Sequence, residues 1–169
     1  IFLTNLGKMQ EHLIIDGNNA LHAIPELAGE FTKDRNLGRE SLLHYMEPLQ
    51  TIENNLLTVV FDGRQGKGRI YQHNGIKNYT VIYSSSKQGA DGVIERMLLA
   101  AKYPERICVA TNDNQIRNCA YESGASTIKI EELLKKLDYS IERQKLRFKK
   151  NPLKKSGSLP NRIEFPDFK

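Results

Sequence analysis

Residues 12–19 read His-Leu-Ile-Ile-Asp-Gly-Asn-Asn, a short apolar run that stops at an acid and a glycine. The run is continuous rather than alternating. Strands covered on both faces look like this, and they belong to parallel sheets. Similar runs return at 57–62 (LTVVFD), 79–83 (YTVIY), 107–111 (ICVAT) and 126–130 (STIKI). Helical spacing fills the gaps at 37–51, 90–102 and 114–122. In the second of these Ile94, Met97, Leu98 and Ala101 share a face, and Tyr103-Pro104 ends it. Strands alternating with helices predict an α/β fold, a central parallel sheet flanked by helices in three layers, as one domain over residues 10–138.

Beyond residue 129 the spacing of Ile130, Leu134, Leu137 and Ile141 predicts one more helix. Residues 139–169 then read as a basic helical extension and tail. The stretch 143–155 holds seven cations and no acid, and Pro152, Gly157, Pro160 and Pro166 break up the remainder of the chain. The net charge of +5 is concentrated there, because residues 1–128 carry 13 Lys+Arg against 14 Asp+Glu and residues 129–169 carry 12 against 6. The result is a near-neutral body with a cationic appendage, whose charges suit either a polyanionic partner or simply a soluble tail. Composition otherwise works by exclusion. No apolar run approaches the ~20 residues of a membrane span, so no membrane partner is expected. The opening IFLTNLGKMQ is too short and too polar for a secretory signal. Two cysteines, Cys108 and Cys119, make no disulfide framework and point to a reducing, cytoplasmic setting.

In an open parallel sheet, ligands sit beyond the carboxyl ends of the strands, so the residues closing each run carry the chemistry. The first run ends Asp16-Gly17-Asn18-Asn19, the second Phe61-Asp62-Gly63, and the fourth Thr111-Asn112-Asp113. Asp91 opens the helix after the third, with Glu95 one turn on as a secondary candidate. Each acid also has a plainer reading. Asp-Gly pairs at 16–17 and 62–63 make turns, and Asp91 and Asp113 stand where helix N-caps belong. Four acids on one rim are harder to explain that way, because clustered carboxylates repel and resist burial. A hard cation, Mg²⁺ or Mn²⁺, relieves both penalties, and metal-assisted attack of water on a phosphodiester is the matching chemistry. Competing motifs are missing: no G-x-G-x-x-G follows the first run, Gly66-Lys67 is followed by Gly68 rather than Ser or Thr, and there is no G-x-S-x-G. His12, His22, His44 and His73 show no ligand spacing and read as structural or surface residues.

At this point the residues resemble a known family. LIIDGNNAL at 13–21 is similar to the opening D-G-x-N motif of NYN domains, a branch of the PIN-like nucleases. VVFDG at 59–63, ADGVIER at 90–96 and VATNDNQIR at 109–117 resemble, in order, later signatures of its bacterial YacP-type subgroup. The resemblance implies a PIN-like fold and a divalent-metal-dependent endoribonuclease that cuts single-stranded RNA. The subgroup's association with the ribosome implies mRNA there as the substrate. Asp16 falls on the family's first catalytic aspartate, Asn19 on the asparagine of its opening motif, and Asp62, Asp91 and Asp113 on its other acidic positions. Asp16, Asp91 and Asp113 are the metal ligands this implies. The sequence departs from the subgroup at Gly92, where an acid is frequent, and at Asn112, where a small hydroxyl residue is usual. A non-catalytic RNA- or ribosome-binding module of the same fold and a structure-specific DNA nuclease are the competing expectations.

Between Asp62 and Asp91 there is no acid, while Arg64, Lys67, Arg69, Lys77 and Lys87 are basic. The stretch 64–69 directly follows an acid-bearing run, its glycines permit close backbone approach, and its cations suit phosphates. Arg64, Lys67, Arg69 and Lys87 are therefore the expected substrate contacts. Tyr71 and Tyr79 stay open between base stacking and the core.

Overall fold

In the computed structural model, which describes residues 11–63 and 66–150, the first apolar run is strand β1 (His12–Asp16). It is followed by helices α1 (Gly17–Ala23), α2 (Pro25–Lys33) and α3 (Arg35–Thr51), then by strands β2 (Leu56–Phe61), β3 (Arg69–Gln72) and β4 (Tyr79–Tyr83). Helix α4 (Gly89–Ala100), strand β5 (Ile107–Ala110), helix α5 (Asn114–Ser123), strand β6 (Ser126–Ile128) and helix α6 (Ile130–Lys150) complete the order. The strands form one sheet in the order β3-β4-β2-β1-β5-β6. Every neighbouring pair is parallel except β3 with β4. Asp16 lies opposite Val60, and Ile15 opposite Ala110, so β1, β2 and β5 finish along one edge.

Alternation along each strand sends neighbouring side chains to opposite faces. Leu13, Ile15, Val59 and Phe61 meet Leu21, Leu42, Met46 and Leu137 from α1, α3 and α6. Ile14, Val60 and Val109 meet Ile94 and Leu98 of α4 and Ile116 of α5. Both faces are thus covered, which is why the runs are continuously apolar. Tyr79 is fully buried in the first layer and donates its hydroxyl to the Leu43 carbonyl at 2.7 Å. That closes its stacking reading.

Departures from the sequence reading have local causes. Strand β3, exposed along its length, has no buried face and hence no periodic signature; it is the antiparallel edge strand, and Arg69 of the basic stretch 64–69 opens it. Asp16-Gly17 begins a helix rather than a turn. A Cβ on Gly17 would lie 2.5 Å from the Phe61 ring, so glycine lets α1 pack onto β2. Helices α1 and α2 are short and meet at Ile24-Pro25, with proline at the start of α2, and their apolar spacing covers too few turns to read. The buried stripe of α6 is Ile130, Leu133, Leu137 and Ser140, with Leu134 and Ile141 on its flank. That helix continues through the basic stretch to Lys150. Arg64 and the tail from 151 lie outside the described residues. Among the described residues, no helix is long and apolar enough to cross a membrane.

Candidate active site

Asp16 ends β1 and caps α1. Its Oδ1 accepts the Asn19 backbone N–H at 3.0 Å, and its Oδ2 accepts the Thr111 hydroxyl at 3.1 Å. Only 5% of the residue is exposed. Burial raises its carboxyl above the usual range, these two hydrogen bonds pull it back, and the nearby charges of Asp91 and Asp62 push it up again. The Thr111 hydroxyl also accepts the Asp113 backbone N–H at 3.1 Å, so one buried threonine joins the ends of β1 and β5. Asp113 Oδ1 caps α5 through the N–H groups of Gln115 at 2.7 Å and Ile116 at 3.1 Å. That is the N-cap expected from the sequence.

Asn19 positions the loop beyond β5, its side-chain oxygen accepting the Asn112 N–H at 2.8 Å. Asn112 in turn accepts the Ile130 N–H at 2.9 Å and donates to Glu131 at 2.8 Å, which fastens the loop to the start of α6. The Thr111 hydroxyl, one residue before Asn112, is the group that serves Asp16.

Asp62 bridges to the third acid. Its Oδ1 accepts the Ala90 N–H at 2.6 Å, and Asn18 Nδ2 donates to its Oδ2. The approach needs Gly89 at φ +70, a left-handed backbone that glycine adopts without strain. Asp91 is not the N-cap expected from the sequence. Gln88 holds that position, and Asp91 sits within the first turn of α4. Partial burial raises its carboxyl, and Asp113, Asp62 and Glu95 raise it further, in that order. The four aspartates therefore share one electrostatic neighbourhood, with Glu95 at its border. Asn18 Oδ1 is buried there with no hydrogen-bond partner among the described residues. Carboxylates that raise one another, beside an orphaned amide oxygen, form a donor set suited to a hard divalent cation. Asp16, Asp91 and Asp113, with Asn18 as the added oxygen, are the residues that would hold it.

The sequence profile of the YacP-like NYN domain matches residues 13–165. The chain belongs to that family. NYN domains are nuclease-like, and nucleases of this kind typically use divalent metals. The chain is 29% identical over 133 residues to a Bacillus subtilis (strain 168) protein described as uncharacterized protein YacP, covering 78% of this chain and 77% of that one. It also resembles the crystal structure of Rae1 (YacP) from Bacillus subtilis, with TM-score 0.69, 26% identity, and coverage of 88% of this chain and 86% of that chain. A mutant form of the same Bacillus subtilis protein matches in fold at TM-score 0.70, with 24% identity and 87% of each chain covered.

Beside the acids of this NYN domain lies a cleft of about 240 Å³ lined by Asn36, Arg39, Gly63, Lys67, Arg69 and Tyr83. Lys67 and Arg69 are two of the expected substrate contacts, and Arg69 lies over the Tyr83 ring at 5.2 Å. Lys87 is exposed in the segment leading into α4. The sequence reading missed Arg39. Only 8% exposed, it donates from Nη2 to the Asp62 carbonyl at 2.9 Å and lies near the rings of Phe61 and Tyr83 at 5.5 and 5.1 Å. In sequence it is one cation within a helix, and only the packing of α3 against β2 brings it to Asp62. Thr111 and Asn18 were also missed, although they stand inside the quoted motifs.

Proposed function

We propose that this NYN domain is an endoribonuclease that hydrolyses single-stranded RNA with Mg²⁺ or Mn²⁺. The observation that carries the reading is the sharing of one strand end by two opposite charges. Asp62 faces the acid cluster while its own carbonyl and the following Gly63 border the Arg39–Lys67–Arg69 cleft. A phosphodiester spanning that border meets cations on one side and the acids on the other. Asp16, Asp91 and Asp113 would hold the divalent ion, which when bound would supply Lewis acidity and charge neutralisation to the phosphate. The chain's own residues do the positioning. Thr111 fixes the Asp16 carboxylate, Asp62 anchors the turn of α4 that carries Asp91, and Arg39, Lys67 and Arg69 hold phosphate oxygens. Attack by water forms the new P–O bond as one ester oxygen leaves. mRNA on the ribosome is the setting we assign, in line with the family resemblance.

End-labelled single-stranded RNA incubated with Mn²⁺ tests the reading directly. Internal cleavage is expected, abolished by EDTA and reduced at least ~100-fold in Asp91→Asn, because a lost metal contact removes several kcal/mol of transition-state stabilisation at 1.36 kcal/mol per tenfold. RNA binding without turnover, unaffected by EDTA, would instead establish a binding module. Preferential cutting of DNA flaps would establish the DNA nuclease.

A further inference from the structure

A second group of ligand-type side chains lies away from the acid rim, where the C-terminal half of α3 meets the turn entering β4. His44 and Glu47 share a helix face at i,i+3. His73 reaches them from a 3-10 turn, His73–Gly75. Their donor atoms all lie within 4.8 Å of one another. His44 Nδ1 and His73 Nε2 each stand 2.9 Å from the same oxygen, Glu47 Oε1. We propose that His44, Glu47 and His73 bind one transition-metal ion of the Zn²⁺ class, with Asn74 as a fourth ligand or a ligand-orienting neighbour.

Glu47 Oε1 gathers three neighbours at once: His44 Nδ1 and His73 Nε2 at 2.9 Å and Asn74 Nδ2 at 3.3 Å. Asn74 Nδ2 also stands 3.3 Å from His73 Nε2, so four side chains converge on one point. A cation there would take the place of the protons the two imidazoles share with Glu47. The asparagine amide, turned over about its terminal bond, presents its oxygen to the same point. Asn74 is held at φ 48, ψ 27, a left-handed conformation that keeps its side chain over the cluster.

Geometry and donor chemistry both fit. Zn–N and Zn–O lengths of about 2.0–2.1 Å place tetrahedral donors roughly 3.3 Å apart, within a few tenths of the two His–Glu separations. Two imidazoles and one carboxylate select Zn²⁺, Co²⁺ or Ni²⁺ over Mg²⁺. His73 is rigidly placed, 2% exposed and against the Tyr79 ring at 4.8 Å, whereas the His44 side chain is 58% exposed and free to close on the ion. Glu47 Oε1 lies between the two imidazoles, 2.9 Å from each, as the carboxylate ligand. The ion would tie the β3–β4 connection to α3. Helix α3 also carries Arg39, and the connection follows the strand that carries Arg69.

The test uses untagged full-length chain carrying Asp16→Asn and Asp113→Asn, so that the rim does not compete. ZnCl₂ is titrated by calorimetry, CoCl₂ by visible absorption, and melting is followed with each. One equivalent of Zn²⁺, tetrahedral Co²⁺ bands, and a Tm rise of about 5–10 °C at a hundredfold excess over Kd are expected. Affinity should fall at least ~100-fold when either ligand is lost in His44→Ala or Glu47→Gln, and ~10–100-fold in Asn74→Ala. His44 is exposed, so His44→Ala should keep its fold, checked by unchanged circular dichroism and metal-free Tm. No Zn²⁺ binding, binding of full strength in His44→Ala and Glu47→Gln, or octahedral Co²⁺ spectra would each overturn the assignment. The nuclease reading does not enter this test.

Discussion

Asp16 serves two purposes that substitution can separate. Asparagine at this position keeps an oxygen for the Asn19 N–H, and Asn and Asp are nearly equal N-caps. Its amide replaces Oδ2, and the Thr111 hydroxyl has two lone pairs, one for that amide and one for the Asp113 N–H. Asp16→Asn should therefore lower the metal-free Tm by no more than about 2–4 °C, since the cap is kept, the Thr111 proton that loses its acceptor costs about 1 kcal/mol, and removal of a repelled buried charge offsets part of it. Asp16→Ala loses the cap, about 1 kcal/mol, and strands the Thr111 hydroxyl, about 1 kcal/mol more. For a chain of this size that total corresponds to a fall of about 4–8 °C. Cleavage should respond differently. Loss of about 4 kcal/mol of transition-state stabilisation in either variant is a ~10³-fold loss of rate. Melting without metal and initial rates on single-stranded RNA with Mn²⁺ give the two readouts. If Asp16→Asn cleaves within tenfold of the parent, the carboxylate is a helix cap and not a metal ligand. If it melts as low as Asp16→Ala, the hydrogen bonds at Asp16 are wrongly assigned.

Arg39→Ala should weaken RNA binding and lower the slope of log K against log salt by about one phosphate contact, as read by filter binding across a salt series; an unchanged slope removes Arg39 from the interface. Gly17→Ala should destabilise by ~1–3 kcal/mol in urea unfolding despite alanine's better helix propensity, because the new methyl meets the Phe61 ring at 2.5 Å and the Val60 carbonyl at 2.9 Å. A gain in stability would refute that close packing. His12 is partly buried with Nε2 2.8 Å from the Thr58 hydroxyl, and burial lowers its pKa from 6.5. Its neutral form is preferred in the folded state, so its contribution is complete above about pH 6.5 and is lost as pH falls through the lowered value. His12→Gln should flatten the fall of Tm on acidification, and an undiminished fall would place its origin elsewhere.

Much of the acid site was legible because each of its acids closes or follows a buried strand. The continuous apolar runs at β1, β2, β4 and β5 announce two-sided burial, and parallel strands must finish on one edge, so Asp16, Asp62 and Asp113 were placed by pattern alone. The meeting of His44 and His73 at Glu47 is the opposite case: exposed His44 and buried His73 fit the reading as surface and structural residues, but their convergence has no trace in the sequence. No spacing rule connects a helix face to a turn beyond two intervening strands. The tyrosines divided on packing: Tyr79 went to the core, and Tyr71 remained partly exposed and stacked with Tyr83 at 6.2 Å.

The sequence by itself determined the α/β class, the covered strands and the acids at their ends, because burial on two faces imposes a local, periodic signature on consecutive residues. Only the tertiary structure decided what those acids touch. Thr111 binding Asp16 across two strands, Asn18 reaching Asp62, Arg39 meeting the Asp62 carbonyl and Glu47 gathering two imidazoles are contacts between residues distant in sequence. Such contacts depend on how helices and strands pack, which leaves no repeating trace along the chain. Strand β3 belongs with them, since it is held by backbone pairing to β4 and buries none of its side chains.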